Sequence, residues 1–164
     1  MRFFVYGTLM DADIRREVLG PAGREVAVLP AVLRDAARRA RPGSPAPVLV
    51  PRPGGRVPGL LLEGVGETAA WRMAHFEGPA YVPTRTRVWT ARRHRLAAWV
   101  FVPAVAKAAT RRPWDFHRWR RVHKPAMRRE VRSWMVAARP GNPLALDVGW
   151  RGRRVLRGVL ERDS

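Results

Sequence analysis

Apolar residues follow several rhythms along this chain, and each predicts an element. Phe3, Phe4, Val5 and Tyr6 run together and stop at Gly7-Thr8. An unbroken run this short predicts a strand buried on both faces. From Asp11 to Pro21 the rhythm turns helical: Ile14, Val18 and Leu19 share a face, Asp11 is the N-cap, and Gly20-Pro21 is the stop. "EVAVLPAVLRD" (25–35) predicts a strand interrupted at Pro30, and the six prolines and three glycines of residues 41–58 predict a loop holding at most a short "VLV" strand. "VPGLLLEGV" (57–65) is a better strand, in which Gly59 predicts a bulge or a close backbone approach.

"ETAAWRMAHFEG" predicts a helix from near Thr68 to Gly78. "TRTRVWT" (84–90) predicts a half-buried strand, and "LAAWVFV" (96–102) a more fully buried one. After Pro103 the chain changes character. "PWDFHRWRRVH" and "PAMRREVRSWMVAARPG" each open on a proline suited to a first helical position. They predict a helical pair, or one long helix kinked at Pro125, with Trp119 and Val122 on one apolar face. Val131, Trp134, Met135 and Ala138 make the other, and arginines crowd the opposite sides. "NPLALDVGWRGRRVLRGVLE" (142–161) predicts a closing strand or hairpin. The expected organisation is a single domain over 1–164, with a strand-rich core in 1–102 and a basic helical segment and closing strand in 103–164.

Charge changes the picture most. The net charge is +19, and of 32 basic residues only Lys107 and Lys124 are lysine. Such an arginine bias fits either a GC-rich coding background or an anionic partner, nucleic acid or a membrane surface. Residues 1–106 carry 16 basic and 8 acidic groups, a net +8, and 107–164 carry 16 and 5, a net +11. Trp114, Trp119 and Trp134 lie among the arginines, where indoles stack on bases in some proteins, but their helical spacing favours core packing.

Elimination narrows the chemistry. The chain has no cysteine, which removes disulfides, thiolate catalysis and Cys-ligated zinc. Ser44, Ser133 and Ser164 sit in no nucleophile elbow. His75, His94, His117 and His123 have no metal-ligand spacing, and neither a P-loop nor a dinucleotide glycine motif occurs. No apolar run approaches the ~18 residues that span a bilayer, and Asp11 and Asp13 follow the first apolar run too soon for a signal peptide. The expectation is a cytoplasmic location with no membrane partner.

Two places remain. At Tyr6-Gly7-Thr8-Leu9 a strand breaks into a turn. That is an ordinary corner, or a set of outward-facing amides able to hold a carboxylate, with Gly7 expected at positive φ. In "HFEGPAY" Glu77 ends an apolar helix before Gly78-Pro79. It reads as a solvated helix-end carboxylate, or as one desolvated enough to act as a base near neutral pH.

The order "FVYGTL", "VPGLLLEGV", "FEGPAY", and then paired "RTRVWT" and "AAWVFV", resembles the γ-glutamylcyclotransferase-like family over residues 3 to about 102. The resemblance implies an α+β fold, a small mixed β-barrel flanked by helices. It implies cyclisation of a γ-glutamyl amine or peptide to 5-oxoproline, without metal or cofactor. By the same resemblance Glu77 is the catalytic acid/base. Gly7 and Thr8 supply amides for the substrate α-carboxylate, Tyr6 a wall or hydrogen bond, Leu9 a packing anchor, and Tyr81 a site lining or core packing. Pro83 stands where family members often carry a basic residue, and the segment before Gly59 lacks an aromatic often found there. Both departures bear on substrate identity. The rival reading is a non-catalytic barrel scaffold that binds nucleic acid or another polyanion through its arginine-rich end. The spread of positive charge argues against a surface that reads nucleic-acid sequence.

Overall fold

The computed structural model describes residues 1–91, 94–104, 109–136 and 138. Strand β1 is Phe3–Val5, followed by a 3-10 turn at Thr8–Met10 and helix α1 at Ala12–Leu19. Strands β2 (Ala27–Arg41) and β3 (Ser44–Glu63) form a long hairpin. Helix α2 (Glu67–Glu77) leads to β4 (Tyr81–Thr90) and β5 (Arg95–Pro103), and then to α3 (Phe116–Val122) and α4 (Lys124–Val136).

The five strands close into a barrel in the order β1-β3-β2-β4-β5. Every pairing is antiparallel except β1 with β5, where Phe3 faces Trp99 in parallel register. The fold is therefore α+β, a mixed barrel with helices outside it. The unalternating start of the chain has a simple cause: β1 separates two cores. Phe3 and Val5 pack with Ile14, Leu62, Met73, Phe101, Trp119 and Val131 on the helical side. Phe4 and Tyr6 pack with Leu33, Val57, Leu61, Val88 and Val100 in the barrel's own core. A strand covered on both faces has no polar side to alternate with.

Several expectations hold. Asp11 caps α1, accepting the Asp13 and Ile14 amides at 3.0 and 3.3 Å. Gly20 and Gly78 end α1 and α2 at φ 59° and 73°, which glycine adopts without strain. Gly59 marks a close approach, because a Cβ there would meet the Phe4 ring and the Val5 carbonyl at 2.5 Å.

Others are corrected. β2 runs through Pro30 without interruption. Residues 27–30 pair only with β3, because β4 joins β2 at Ala31–Leu33, so the missing N–H of Pro30 lies on a stretch with a single neighbour. The proline-rich segment 44–58 is strand, not loop. Its larger irregularity is Arg52–Gly55, which bulges out opposite Asp35 between the Arg34–Arg56 and Ala36–Pro51 pairs, and a smaller one falls between the Ala40–Pro47 and Arg41–Ser44 pairs. The Gly54 amide donates to Asp35 Oδ1 at 2.9 Å, and Gly55 comes so close to the Ala36 carbonyl that no side chain fits.

The C-terminal helices are two, not one. α3 starts from an Asp115 cap rather than from Pro113, which bridges Arg39 instead. Trp119, Val131, Met135 and Ala138 are buried as the spacing requires, and Met127 is buried with them, but Val122 is 58% and Trp134 46% exposed. Spacing assigns a helix face; which part of it is covered depends on where α1 and α2 meet α4. The arginine-rich side is also not simply solvated. Arg120 and Lys124 pair with Asp11, and Arg128 and Arg132 with Glu17, tying the basic helices to α1. The expected closing strand at 142–161 lies outside the described residues.

Candidate active site

β1 delivers Tyr6 and Gly7 to one end of the barrel, and the chain turns there into the 3-10 turn. Two bonds close the turn, from the Met10 amide to Gly7 and from the Asp11 amide to Thr8, both 3.0 Å. The amides of Thr8 and Leu9 come before the first of them, in the position where a helical start leaves its N–H groups unspent by the helix. Gly7 sits at φ −116°, ψ −137°, so the expected positive φ is not found. What calls for glycine is space: a Cβ would lie 3.1 Å from Pro47 Cγ.

Glu77 is the last residue of α2 and is half-buried. The Gly78 amide closes the helix on Ala74, and the Tyr81 amide then donates to the Gly78 carbonyl at 3.2 Å. That tight return brings Tyr81, the first residue of β4, back beside Glu77. All six residues singled out from the sequence line one small pocket: Tyr6, Gly7, Thr8, Leu9, Glu77 and Tyr81. Phe4, Val5, Ala46, Pro47 and Phe101 complete its wall. Leu9 is buried in the helical-side core, which fits an anchoring role for its side chain.

The polar groups act on one another. The Tyr6 hydroxyl is buried and donates to the Phe101 carbonyl at 3.0 Å. Burial first, and then the nearby Glu77 and Tyr81, push this phenol far above its ordinary range, with Arg41 opposing them. Tyr6 is therefore a fixed neutral donor. Burial also raises the Tyr81 phenol, against the Arg41 guanidinium, which donates to its oxygen at 3.2 Å. The result is a carboxylate and two phenols around an apolar-walled pocket, beside a turn that presents amides. This set can accept a proton at Glu77, donate hydrogen bonds from the turn, and exclude much of the solvent.

Sequence reasoning missed Arg41, Pro47 and Phe101. Arg41 and Pro47 fell in the stretch read as loop, and Phe101 was indistinguishable from its apolar neighbours on β5. Among the described residues no group of three or more His, Asp or Glu is placed to hold a metal ion. No helix among them is long and apolar enough to cross a membrane.

No curated protein matches the chain. Among solved structures, two Arabidopsis thaliana proteins known from solution structures are similar. One is 23% identical, covering 85% of this chain and 93% of that one at a TM-score of 0.60. The other is 27% identical, covering 83% and 81% at 0.59. A γ-glutamyl cyclotransferase shares the fold at 15% identity and a TM-score of 0.51, with 66% of this chain and 68% of that one covered. The family described as "Gamma-glutamyl cyclotransferase, AIG2-like" matches residues 3–121, most of the chain and the whole of the pocket described above. The chain belongs to the AIG2-like γ-glutamyl cyclotransferase family.

Proposed function

We propose that the protein is a cofactor-independent γ-glutamyl cyclotransferase that converts a γ-glutamyl amine or peptide to 5-oxoproline and a free amine. The observation that carries this reading is the convergence of Glu77 and Tyr81 with the Tyr6–Leu9 turn in one pocket. In the proposed reaction the turn's amides hold the substrate α-carboxylate. Glu77 accepts a proton from the α-ammonium group. The freed amine attacks the γ-carbonyl carbon of the same molecule and forms the ring C–N bond. As the tetrahedral intermediate collapses, Glu77 returns its proton to the departing nitrogen and the bond to that nitrogen breaks; the ring nitrogen gives up its second proton through Glu77 to the released amine, which leaves as an ammonium.

The nucleophile belongs to the substrate, so the scarcity of serine and the absence of cysteine cost the reaction nothing. Ring closure is intramolecular, so binding the glutamyl chain in a bent form supplies much of the acceleration, on the order of several kcal/mol. The test is a panel of γ-glutamyl amines, amino acids and peptides assayed for 5-oxoproline. Turnover of at least one, lost in Glu77→Gln, supports the assignment. No 5-oxoproline from any of them would reject it.

A further inference from the structure

A second cavity lies at the bulge of the β2–β3 hairpin. It is a half-open cleft of about 200 Å³, against about 40 Å³ for the first pocket. Its wall includes Arg38, Arg39, Arg52 and Arg56, with Val57, Pro58, Pro113 and Trp114. No carboxylate lines it. We propose that this cavity is a binding site for a compact phosphate-bearing small molecule, such as a pyrophosphate or an organic phosphate.

The charge is uncompensated at its outer part. Among the described residues neither Arg52 nor Arg56 forms an ion pair. Neither Asp35 nor Asp115 lines the cavity. Asp35 accepts the Gly54 amide across the bulge, and Asp115 caps α3 while acting on Arg38. Four arginines contribute to the wall, and the exposed Arg52 and Arg56 add two positive charges at its outer part, more than a single carboxylate balances. A phosphate group carries about two charges near neutral pH and three acceptor oxygens, and arginine's planar fork suits it.

The inner part is already ordered. The Arg38 guanidinium lies over the Trp114 ring at 5.1 Å and donates to the Tyr6 carbonyl at 2.8 Å. Trp114 is in turn held by its indole N–H on the Pro45 carbonyl at 2.7 Å, and Arg39 by the Arg111 carbonyl at 2.7 Å. Two walls are thus fixed before any ligand arrives, and the cost of ordering falls mainly on Arg52 and Arg56. The bulge borders the cavity: regular pairing stops for residues 52–55, and Arg52 and Arg56 on either side of the break line the wall. Arg38 of this wall donates to the carbonyl of Tyr6, which lines the first pocket, so one hydrogen bond joins the two walls.

The site is independent of the cyclotransferase assignment, and binding is its readout. Inorganic pyrophosphate, inorganic phosphate and a short single-stranded DNA are titrated calorimetrically into the full chain at ~150 mM salt, where surface attraction is largely screened. Saturable one-to-one binding of pyrophosphate is expected. Arg52→Ala with Arg56→Ala should weaken it at least ~10-fold, since each charge-assisted bond contributes that order of affinity. Arg121→Ala with Arg129→Ala removes the same charge elsewhere and should leave it unchanged. Circular dichroism confirms the fold of both variants, whose altered side chains reach solvent. Absence of saturable pyrophosphate binding, or equal weakening in both double variants, would overturn the proposal. DNA that binds more tightly than pyrophosphate and displaces it would overturn the small-molecule assignment.

Discussion

Lys124 Nζ lies 2.9 Å from the carboxylate of Asp11, which is almost wholly buried, and 2.8 Å from that of Asp13. Asp11 is also the cap of α1 and directly follows the turn that lines the pocket. One residue therefore ends the turn through its amide, and through its carboxylate starts the helix and anchors the basic C-terminal helices. Asp11→Ala removes the cap and leaves Lys124 and Arg120 without this partner. The expected loss of stability is about 3 kcal/mol, read from urea denaturation. An unchanged midpoint would refute the anchoring role.

The same contact sets a pH dependence. The hydrogen bond and charge of Lys124 hold the Asp13 carboxyl below its ordinary 3.8, and Asp13 and then Asp11 hold the Lys124 ammonium above its ordinary 10.5. The depressed acid contributes stability that is complete above 3.8 and is lost as pH falls through its lower folded value. The raised base contributes stability that is complete below 10.5 and is lost as pH rises through its higher folded value. Lys124→Met should flatten both limbs of the stability profile while the neutral plateau drops. Limbs as steep as in the parent protein would show that other groups control them.

Glu77→Gln keeps the shape of the side chain and removes the proton acceptor. Formation of 5-oxoproline should fall at least ~10²-fold with folding and product binding preserved. Near-normal turnover in a folded variant would remove Glu77 from the mechanism.

Gly7→Val tests the turn for a reason of space. The new Cβ would lie 3.1 Å from Pro47 Cγ, before the branched methyls are placed. Either Pro47 shifts or the pocket narrows, and 5-oxoproline affinity should drop roughly tenfold. Unchanged affinity by calorimetry would make the turn a plain corner.

Nucleic acid should bind weakly and without sequence preference. At +19 some attraction is unavoidable, but several arginines of α3 and α4 are paired with α1. Binding to unrelated DNA and RNA should fade steeply toward ~150 mM salt as counterion release dictates. Tight binding that persists there with a strong preference for one sequence would restore the polyanion-binding scaffold as the better reading.

Much of the fold was legible because local rules and tertiary structure agree. The Phe3–Tyr6 run, the Asp11 cap and the Gly20 and Gly78 stops all carry short-range signals that the fold keeps. The hairpin was not legible. Proline and glycine in 44–58 advertise a loop, yet this segment pairs with β2 at Ser44, at Pro47–Pro51 and at Arg56–Pro58. Its prolines are accommodated because a strand residue spends its N–H on only one side.

The sequence by itself determined the first strand, the α1 and α2 helices and the last two strands, and its motif order, through the family resemblance, pointed to six pocket residues. Those follow from periodicity, caps and short motifs, which act over a few residues. Only the tertiary structure decided that Tyr6 and Phe101, 95 residues apart, share a hydrogen bond. It also decided that Pro47 closes on Gly7, that Arg41 reaches Tyr81, and that α4 docks on the acids of α1. Barrel closure and helix docking set these contacts, and they depend on register and packing summed over the whole chain, which no local pattern encodes.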